Sequence, residues 1–561
     1  MSDTDFFIEN SLTPRESQRR VLKTVQENWH KFKYFICSAP TGVGKTYIAC
    51  AIAHSLNNSY IITSTLQLQK QYEDSWDAIV NLKGRSNYTC ALNSAFRVDN
   101  APCNIKRELA QNCKKECRCP YYNQKNLALR SKAMITNPVY LLYSSHCGFA
   151  KEESEWTRRD ALIIDEAHNT EKHLVAFGES ELDIDRLQKS FDVNLSGLHF
   201  TGDLSSDYKT IALLKAKLAD RAAELDKKRS AIMLADNRPS EDLDKWASTF
   251  SAVSASKTDD LNKKINALDR AIQPINVFFS THTGVEDVRH RWMIWKDPKK
   301  NAVKISPLKA SFLFHSYYGG LAEKFVFLSA TPGSKEEFCS ELGIPLDECL
   351  YVEEPSPFDP ELSPVVILPS IRLSKDVYDE NIKKVGKIVE EILKEHSGKR
   401  GIIHSTTYDI QQKIYDGVRA STRPRLTCRD MDILSQGLQA RKYSNEDLLE
   451  IHASKKDSVL VSPSMMEGVD LFDDLSEFQI IIKLPWANLG DPRTKIKSEL
   501  EPSWYSNEMW LKLIQAAGRS TRHDKDASVT YILDSNFKFF WKKWQHKLPI
   551  WFNDRLCEIS T

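Results

Sequence analysis

The chain contains no run of 18 apolar residues, which excludes a bilayer-spanning helix from the expected architecture. Its opening residues, Met1-Ser2-Asp3-Thr4-Asp5, lack the basic and apolar segments of a secretion signal, so the expected compartment is the cytoplasm and no membrane partner is expected. An excess of charge of one sign is missing as well: 77 Lys and Arg stand against 76 Asp and Glu, a formal net charge of +1. No overall field draws the molecule to a polyanion, and any nucleic acid must be held by a local groove or basic patch. Disulfides are not expected among the 12 cysteines, because the cytosol is reducing. What remains, 561 residues of which 41% are hydrophobic and 27% charged, is the composition of a soluble globular chain with room for several cores.

The stretch Ala39-Pro40-Thr41-Gly42-Val43-Gly44-Lys45-Thr46 organises the first part of the chain. A short apolar run, Tyr34-Phe35-Ile36-Cys37, reads as a buried strand before it, and Tyr47 to Leu56 carries apolar residues at helical spacing after it. Strand, loop and helix form the context of a phosphate-binding loop for ATP. Backbone N–H groups from Thr41 to Gly44 and the helix N-terminus face the phosphates, Lys45 reaches the β- and γ-phosphates, and Thr46 ligates Mg²⁺. The alternative is a glycine-containing strand-to-helix turn with a chance lysine. Upstream, Thr13-Pro14 reads as a capped helix start, and Gln18 is a candidate reader of the adenine edge or else a solvated helix residue. Downstream, Tyr60-Ile61-Ile62-Thr63 reads as a second parallel strand, with Ser64 and Thr65 either capping the next helix or facing the ligand crevice of an open sheet.

About 120 residues after Lys45, the strand Ala161-Leu162-Ile163-Ile164 runs into Asp165-Glu166-Ala167-His168. Asp165 is expected to hold Mg²⁺ through its water shell, and Glu166 to orient and deprotonate the attacking water. Between these two motifs lie Cys90, Cys103, Cys113, Cys117 and Cys119. Four thiolates on one site suit an iron-sulfur cubane or a Cys₄ zinc, and the absence of any C-x₂-C knuckle or local histidine favours the cubane over zinc and over free thiols. Cys117 and Cys119 are too close in sequence to share one cubane comfortably, which leaves Cys117 out.

From Leu182 to Ile275 the pattern turns helical. Ile211, Leu214 and Leu218, then Leu261, Ile265, Leu268 and Ile272, mark two charged amphipathic helices separated by Asn237-Arg238-Pro239-Ser240. The α/β pattern resumes at Lys324-Phe325-Val326-Phe327-Leu328 and ends in Ser329-Ala330-Thr331, whose hydroxyls are placed to sense the γ-phosphate. Further strands are expected at Gly401–Ser405, 459–462, 480–482 and 529–533, forming a second α/β domain without a second phosphate loop. It supplies Gly468 and Asp470 as candidate nucleotide contacts and Gln515 as a candidate catalytic residue. Arg519 and Arg522, three apart on one expected helix face, are candidate arginine fingers; a solvated basic helix end is the bland alternative.

Together, the phosphate loop at 39–46, the cysteine segment, the Asp-Glu-Ala-His box, Ser329-Ala330-Thr331 and Gln515 to Arg522 resemble the iron-sulfur group of superfamily 2 helicases, the XPD and DinG relatives. The resemblance implies an α/β fold of two RecA-like motor domains, parallel sheets flanked by helices, with an inserted iron-sulfur domain and an inserted helical arch-like domain. The corresponding division is 1–85, 126–181 and 291–333 for the first motor domain, 86–125 for the cluster domain, 182–290 for the arch and 334–561 for the second motor domain. It assigns Cys90 and Cys119 as the outer ligands of a 4Fe-4S cluster, with Cys103 and Cys113 between them. It further implies ATP- and Mg²⁺-dependent movement along single-stranded DNA, 5′ to 3′, and unwinding of tailed duplex DNA by a monomeric motor. Asp534-Ser535-Asn536 departs from the Asp-x-Arg of relatives, and at 561 residues no added nuclease or regulatory domain is expected. Other readings are a translocase or remodeller that does not separate strands, an RNA helicase, and a redox-sensing binding protein whose ATP site only switches conformation.

Overall fold

The computed structural model describes residues 5–40, 42–104, 107–115, 118–146, 156–235, 252–282, 284–357, 359–373, 377–429, 443–463, 465, 475–518 and 527–558. Each half of the chain is built on a seven-stranded parallel sheet. The first runs in the order Cys349–Glu353, Tyr34–Ser38, Ala322–Ser329, Arg159–Asp165, Ser59–Ile62, Ala133–Thr136 and Ile79–Asn81. Its central strands are apolar throughout because both faces are covered. Tyr34 and Ile36 point to one core with Tyr60, Ile62 and Phe327, whereas Phe35 and Cys37 point to the other with Ile61, Ile163 and the phosphate-loop helix Lys45–His54.

The second sheet runs Leu426–Thr427, Val459–Ser462, Gly401–His404, Phe478–Ile481, Val529–Asp534, Val365–Ile371 and Leu556–Glu558. The two RecA-like sheets expected from the motifs are therefore present. The edge strand Cys349–Glu353 pairs with Tyr34–Ser38, so the first sheet draws on chain beyond residue 334, where the second motor domain was expected to start.

A small antiparallel sheet, Ser180–Asp183, Ala302–Pro307 and Trp292–Lys296, forms the base of the helical insert. Two long helices, Leu204–Ala235 and Ala252–Ser280, rise from it and pack together. Ile211, Leu214, Leu218 and Leu268 are fully buried between them, as the helical spacing requires; the expected break at 237–240 lies outside the described residues. Among the described residues no helix is long and apolar enough to cross a membrane.

Candidate nucleotide site

The phosphate loop leaves its strand at Ser38 and turns on two glycines with positive φ, Gly42 at 83° and Gly44 at 86°. Only glycine takes this conformation without strain, and a Cβ on Gly44 would meet Gln18 Nε2 at 2.4 Å. Gln18 is spent on this contact. Its Nε2 donates to the Gly44 carbonyl at 3.3 Å and its Oε1 accepts the Arg15 N–H at 2.8 Å. The helix Glu16–Asn28 is thus capped at Arg15, not at Thr13 as the sequence suggested, and the Arg15 guanidinium donates to the Gly42 carbonyl.

Lys45 Nζ donates to the Ala39 carbonyl at 3.4 Å, and Thr46, buried at the first turn of the helix, accepts from Gln71 Nε2 at 3.3 Å. Asp165 ends its strand in the same crevice. Its Oδ2 accepts from the buried Tyr72 hydroxyl at 3.0 Å and its Oδ1 from the Glu166 N–H at 2.9 Å. Burial first, then the Glu166 charge, push its carboxyl up to about 6, with Lys45 acting in the opposite sense. Glu166 takes a left-handed backbone, φ 50°, which strains a non-glycine residue by about 1–3 kcal/mol. Thr65, offered as cap or ligand contact, caps: its hydroxyl accepts the Leu68 N–H at 3.1 Å.

From Glu166 a run of polar contacts crosses to the other half of the chain. Its Oε2 lies 3.4 Å from His168 Nδ1, which bonds Ser329 Oγ at 2.9 Å. Ser329 Oγ accepts the Thr331 N–H at 3.0 Å, and Thr331 Oγ1 accepts from Gln515 Nε2 at 3.0 Å. Gln515 sits at the end of the helix Pro502–Ala517, and among the described residues its buried Oε1 has no partner. Ser329, Thr331 and Gln515 are legible in the sequence as candidate site residues, whereas the contacts of His168, Tyr72 and Gln71 are not. A lone tyrosine on a helix carries no signature, whereas His168 belonged to a quoted motif. Thr41, Gly468, Asp470, Arg519 and Arg522 lie outside the described residues, so the expected placement of the two arginines on one helix face beyond Ala517 does too.

A second tie between the halves is ionic and buried. Lys497, 2% exposed, donates to Glu171 at 2.8 Å and to Glu341 at 2.5 Å, while Arg493 donates to Glu171 at 2.7 Å. Glu171 lies in the first turn of the helix Thr170–Gly178, three residues after His168 of the Asp-Glu-Ala-His box. Burial opposes its charge, yet Lys497 and Arg493 hold its carboxyl down to about 2; burial and the Glu171 charge push Glu341 up to about 8.

Four of the five clustered cysteines face one cavity. Cys90, Cys103, Cys113 and Cys119 line it together with Leu92, Val98, Leu109 and Arg118. Cys90 is fixed by its N–H to the Phe96 carbonyl at 2.9 Å, and Cys119 precedes the helix Pro120–Arg130, whose Pro occupies the first turn. Among the described residues no group of three or more His, Cys, Asp or Glu side chains is arranged to hold a single metal ion. Cys117 lies outside the described residues.

Comparison with known proteins fits this geometry. Residues 389–555 match the helicase C-terminal domain, and residues 11–200 match the type III restriction enzyme res subunit. A Methanocaldococcus jannaschii protein described as a probable ATP-dependent helicase is 22% identical over 93% of this chain and 92% of its own. The ATP-dependent DNA helicase YoaA of Haemophilus influenzae is 26% identical over 41% of this chain and 36% of its own. Among solved structures, an XPD helicase superposes with a TM-score of 0.62 at 15% identity, covering 98% of this chain and 100% of that one, and Xpd4 of S. tokodaii with 0.55 at 12%, covering 97% and 100%. The fold and the site define an ATP-dependent helicase of superfamily 2. Taken together, the family models, the relatives and the fold neighbours support an XPD/DinG-like member of that superfamily.

Proposed function

We propose that this protein is an ATP-dependent DNA helicase that moves 5′ to 3′ along a single strand and unwinds tailed duplex DNA as a monomeric motor. The observation that carries the motor reading is the run of polar contacts from Glu166 through His168, Ser329 and Thr331 to Gln515, because it connects the hydrolytic carboxylate to the half of the chain that has no phosphate loop of its own. DNA as substrate is supported by the names of relatives, among them the YoaA and CHL1 DNA helicases.

In this reading Gly42, Gly44 and Lys45 hold the β- and γ-phosphates, with the loop N–H of Thr41. Thr46 and Asp165 hold Mg²⁺, and Glu166 takes the proton of the attacking water. Tyr72 and Gln71 orient Asp165 and Thr46. Arg519 and Arg522 stabilise the transition-state charge from the second motor domain, which also offers Gly468 and Asp470 to the nucleotide. Gln18 fixes the phosphate loop; its amide is already engaged, so reading of the adenine edge requires it to release Gly44. The domain division follows the sequence reading, except that we extend the first motor domain through Glu353.

In this reading Cys90, Cys103, Cys113 and Cys119, which line one cavity, would hold a 4Fe-4S cluster. When bound, the cluster would cross-link the segment from Cys90 to Cys119 and make of it a rigid wedge against which the motor halves pull a strand. The test is ATP hydrolysis by protein purified without oxygen, with and without single-stranded DNA. Stimulation by DNA that disappears in Lys45→Ala supports the reading; ATP turnover indifferent to any nucleic acid contradicts it.

A further inference from the structure

The last helix of the second half, Phe537–Trp544, has the sequence Phe-Lys-Phe-Phe-Trp-Lys-Lys-Trp. Its inner face is settled: Phe537 and Trp544 are buried, Phe540 meets Trp486 edge-on at 4.9 Å, and Trp541 Nε1 donates to Asn553 at 3.1 Å. Its outer face is not explained by folding. Phe539 is 68% exposed, and Lys542 and Lys543, three and four residues on and so on the same side, are exposed with neither ammonium paired among the described residues. A phenyl ring left in water beside two unpaired cations costs apolar exposure and self-repulsion without a folding gain.

The helix is also placed at the ligand-binding end of the sheet. It begins at the carboxyl end of the parallel strand Val529–Asp534, the end at which open α/β sheets bind ligands. Asp534 pins it there, accepting the Asn536 N–H at 3.0 Å through one oxygen and the Leu484 N–H at 3.0 Å through the other. At its far end Lys547 reaches Glu337 of the first half at 2.9 Å, so the helix lies beside the junction of the two halves.

We propose that the outer face of this helix is a contact for a single strand of nucleic acid, a base stacking on Phe539 and neighbouring phosphates pairing with Lys542 and Lys543. The occupant follows from charge and shape: an exposed ring flanked by two free ammonium groups complements a chain that alternates flat bases with anions, independent of base identity. This rests on the helicase reading and adds to it a surface outside the nucleotide crevice.

The experiment measures binding of a fluorescein-labelled oligodeoxythymidylate to the full chain by anisotropy across a salt series, for the parent, Phe539→Ala, Phe539→Trp and the double variant Lys542→Gln/Lys543→Gln, each with its melting curve. Phe539→Ala is expected to weaken binding about tenfold and Phe539→Trp to restore it. The double variant is expected to flatten the plot of log affinity against log salt by about 1.4, the loss of two phosphate contacts on a single strand. Parent-like affinity and slope in all variants, while the parent binds, would overturn this face alone; if the parent then binds anionic vesicles through Phe539, the face belongs to lipid. A parent that binds no single strand would overturn the helicase reading with it.

Discussion

At the residue scale, the hydrolytic assignment turns on Lys45 and Glu166. Lys45→Ala is expected to abolish nucleotide binding or hydrolysis, since the loop loses its cation. Glu166→Gln is expected to bind ATP but turn over about 10²- to 10⁴-fold more slowly, because the amide keeps the shape and loses the proton acceptor. Phosphate release and nucleotide titration on the same preparations separate the two outcomes, and near-parental turnover by a folded Glu166→Gln protein would remove the general base. Arg159 makes a different kind of claim, about stability. Buried beneath the Tyr60 ring, it donates to the carbonyls of Ser59, Ser131, Ala128 and Leu129 at 2.7–3.0 Å. Arg159→Met keeps much of the volume but removes four charge-assisted hydrogen bonds to backbone carbonyls, and a loss of about 3 kcal/mol or more in denaturant unfolding is expected.

At the scale of elements, the polar run through Ser329-Ala330-Thr331 makes that strand end a connector between carboxylate and partner half. Gln515→Ala is expected to leave nucleotide affinity nearly unchanged and to lower DNA-stimulated turnover by at least about tenfold, as befits an interaction formed for the hydrolysis step. Equal stimulation in parent and variant would show that the contact carries no coupling. The connector's parts were largely legible: long apolar strands ending in hydroxyls or carboxylates, such as 161–165 and 324–329, announce themselves by continuous hydrophobicity. Strands at or next to the sheet margins did not. Leu426–Thr427 is too brief to show a period, and Val365–Ile371 is interrupted by Pro369 and shifts register there. Cys349–Glu353 was missed because its partner, Tyr34–Ser38, lies more than 300 residues away, and no local pattern encodes which sheet a strand joins. The ion pairs of Glu171, Lys497 and Glu341 were invisible for the same reason. In the cysteine segment the spacing suggested a shared site and the fold turns four of its thiols to one cavity. Protein purified without oxygen is expected to contain iron and acid-labile sulfide, lost in Cys119→Ser and kept in Cys117→Ser; stoichiometric zinc without sulfide would sink the cluster.

For the molecule as a whole, the two halves meet through a buried set of two acids and two bases. Breaking it at Lys497→Met leaves Glu171 and Glu341 facing each other and is expected to cost about 3–5 kcal/mol. The pH dependence has a definite sign. Glu341 is raised from its ordinary 4.5 to about 8, so the folded chain holds a proton that the unfolded chain releases, and its contribution to stability falls as pH rises across that window. Glu171, lowered to about 2, contributes stability above 4.5 that is lost as pH falls toward 2. Unfolding midpoints from pH 5 to 8 are therefore expected to decline more steeply in the parent than in Glu341→Gln, and parallel slopes would refute the assignment. The central claim, an ATP-driven motor that separates DNA strands in one direction, is tested most directly by strand displacement on 5′-tailed, 3′-tailed and RNA-containing duplexes with anaerobically purified protein. ATP-dependent displacement of the 5′-tailed DNA duplex, absent in Lys45→Ala and absent on the 3′-tailed one, is the expected result. Displacement confined to 3′ tails or to RNA, or none at all from a protein whose ATPase responds to single-stranded DNA, would contradict it.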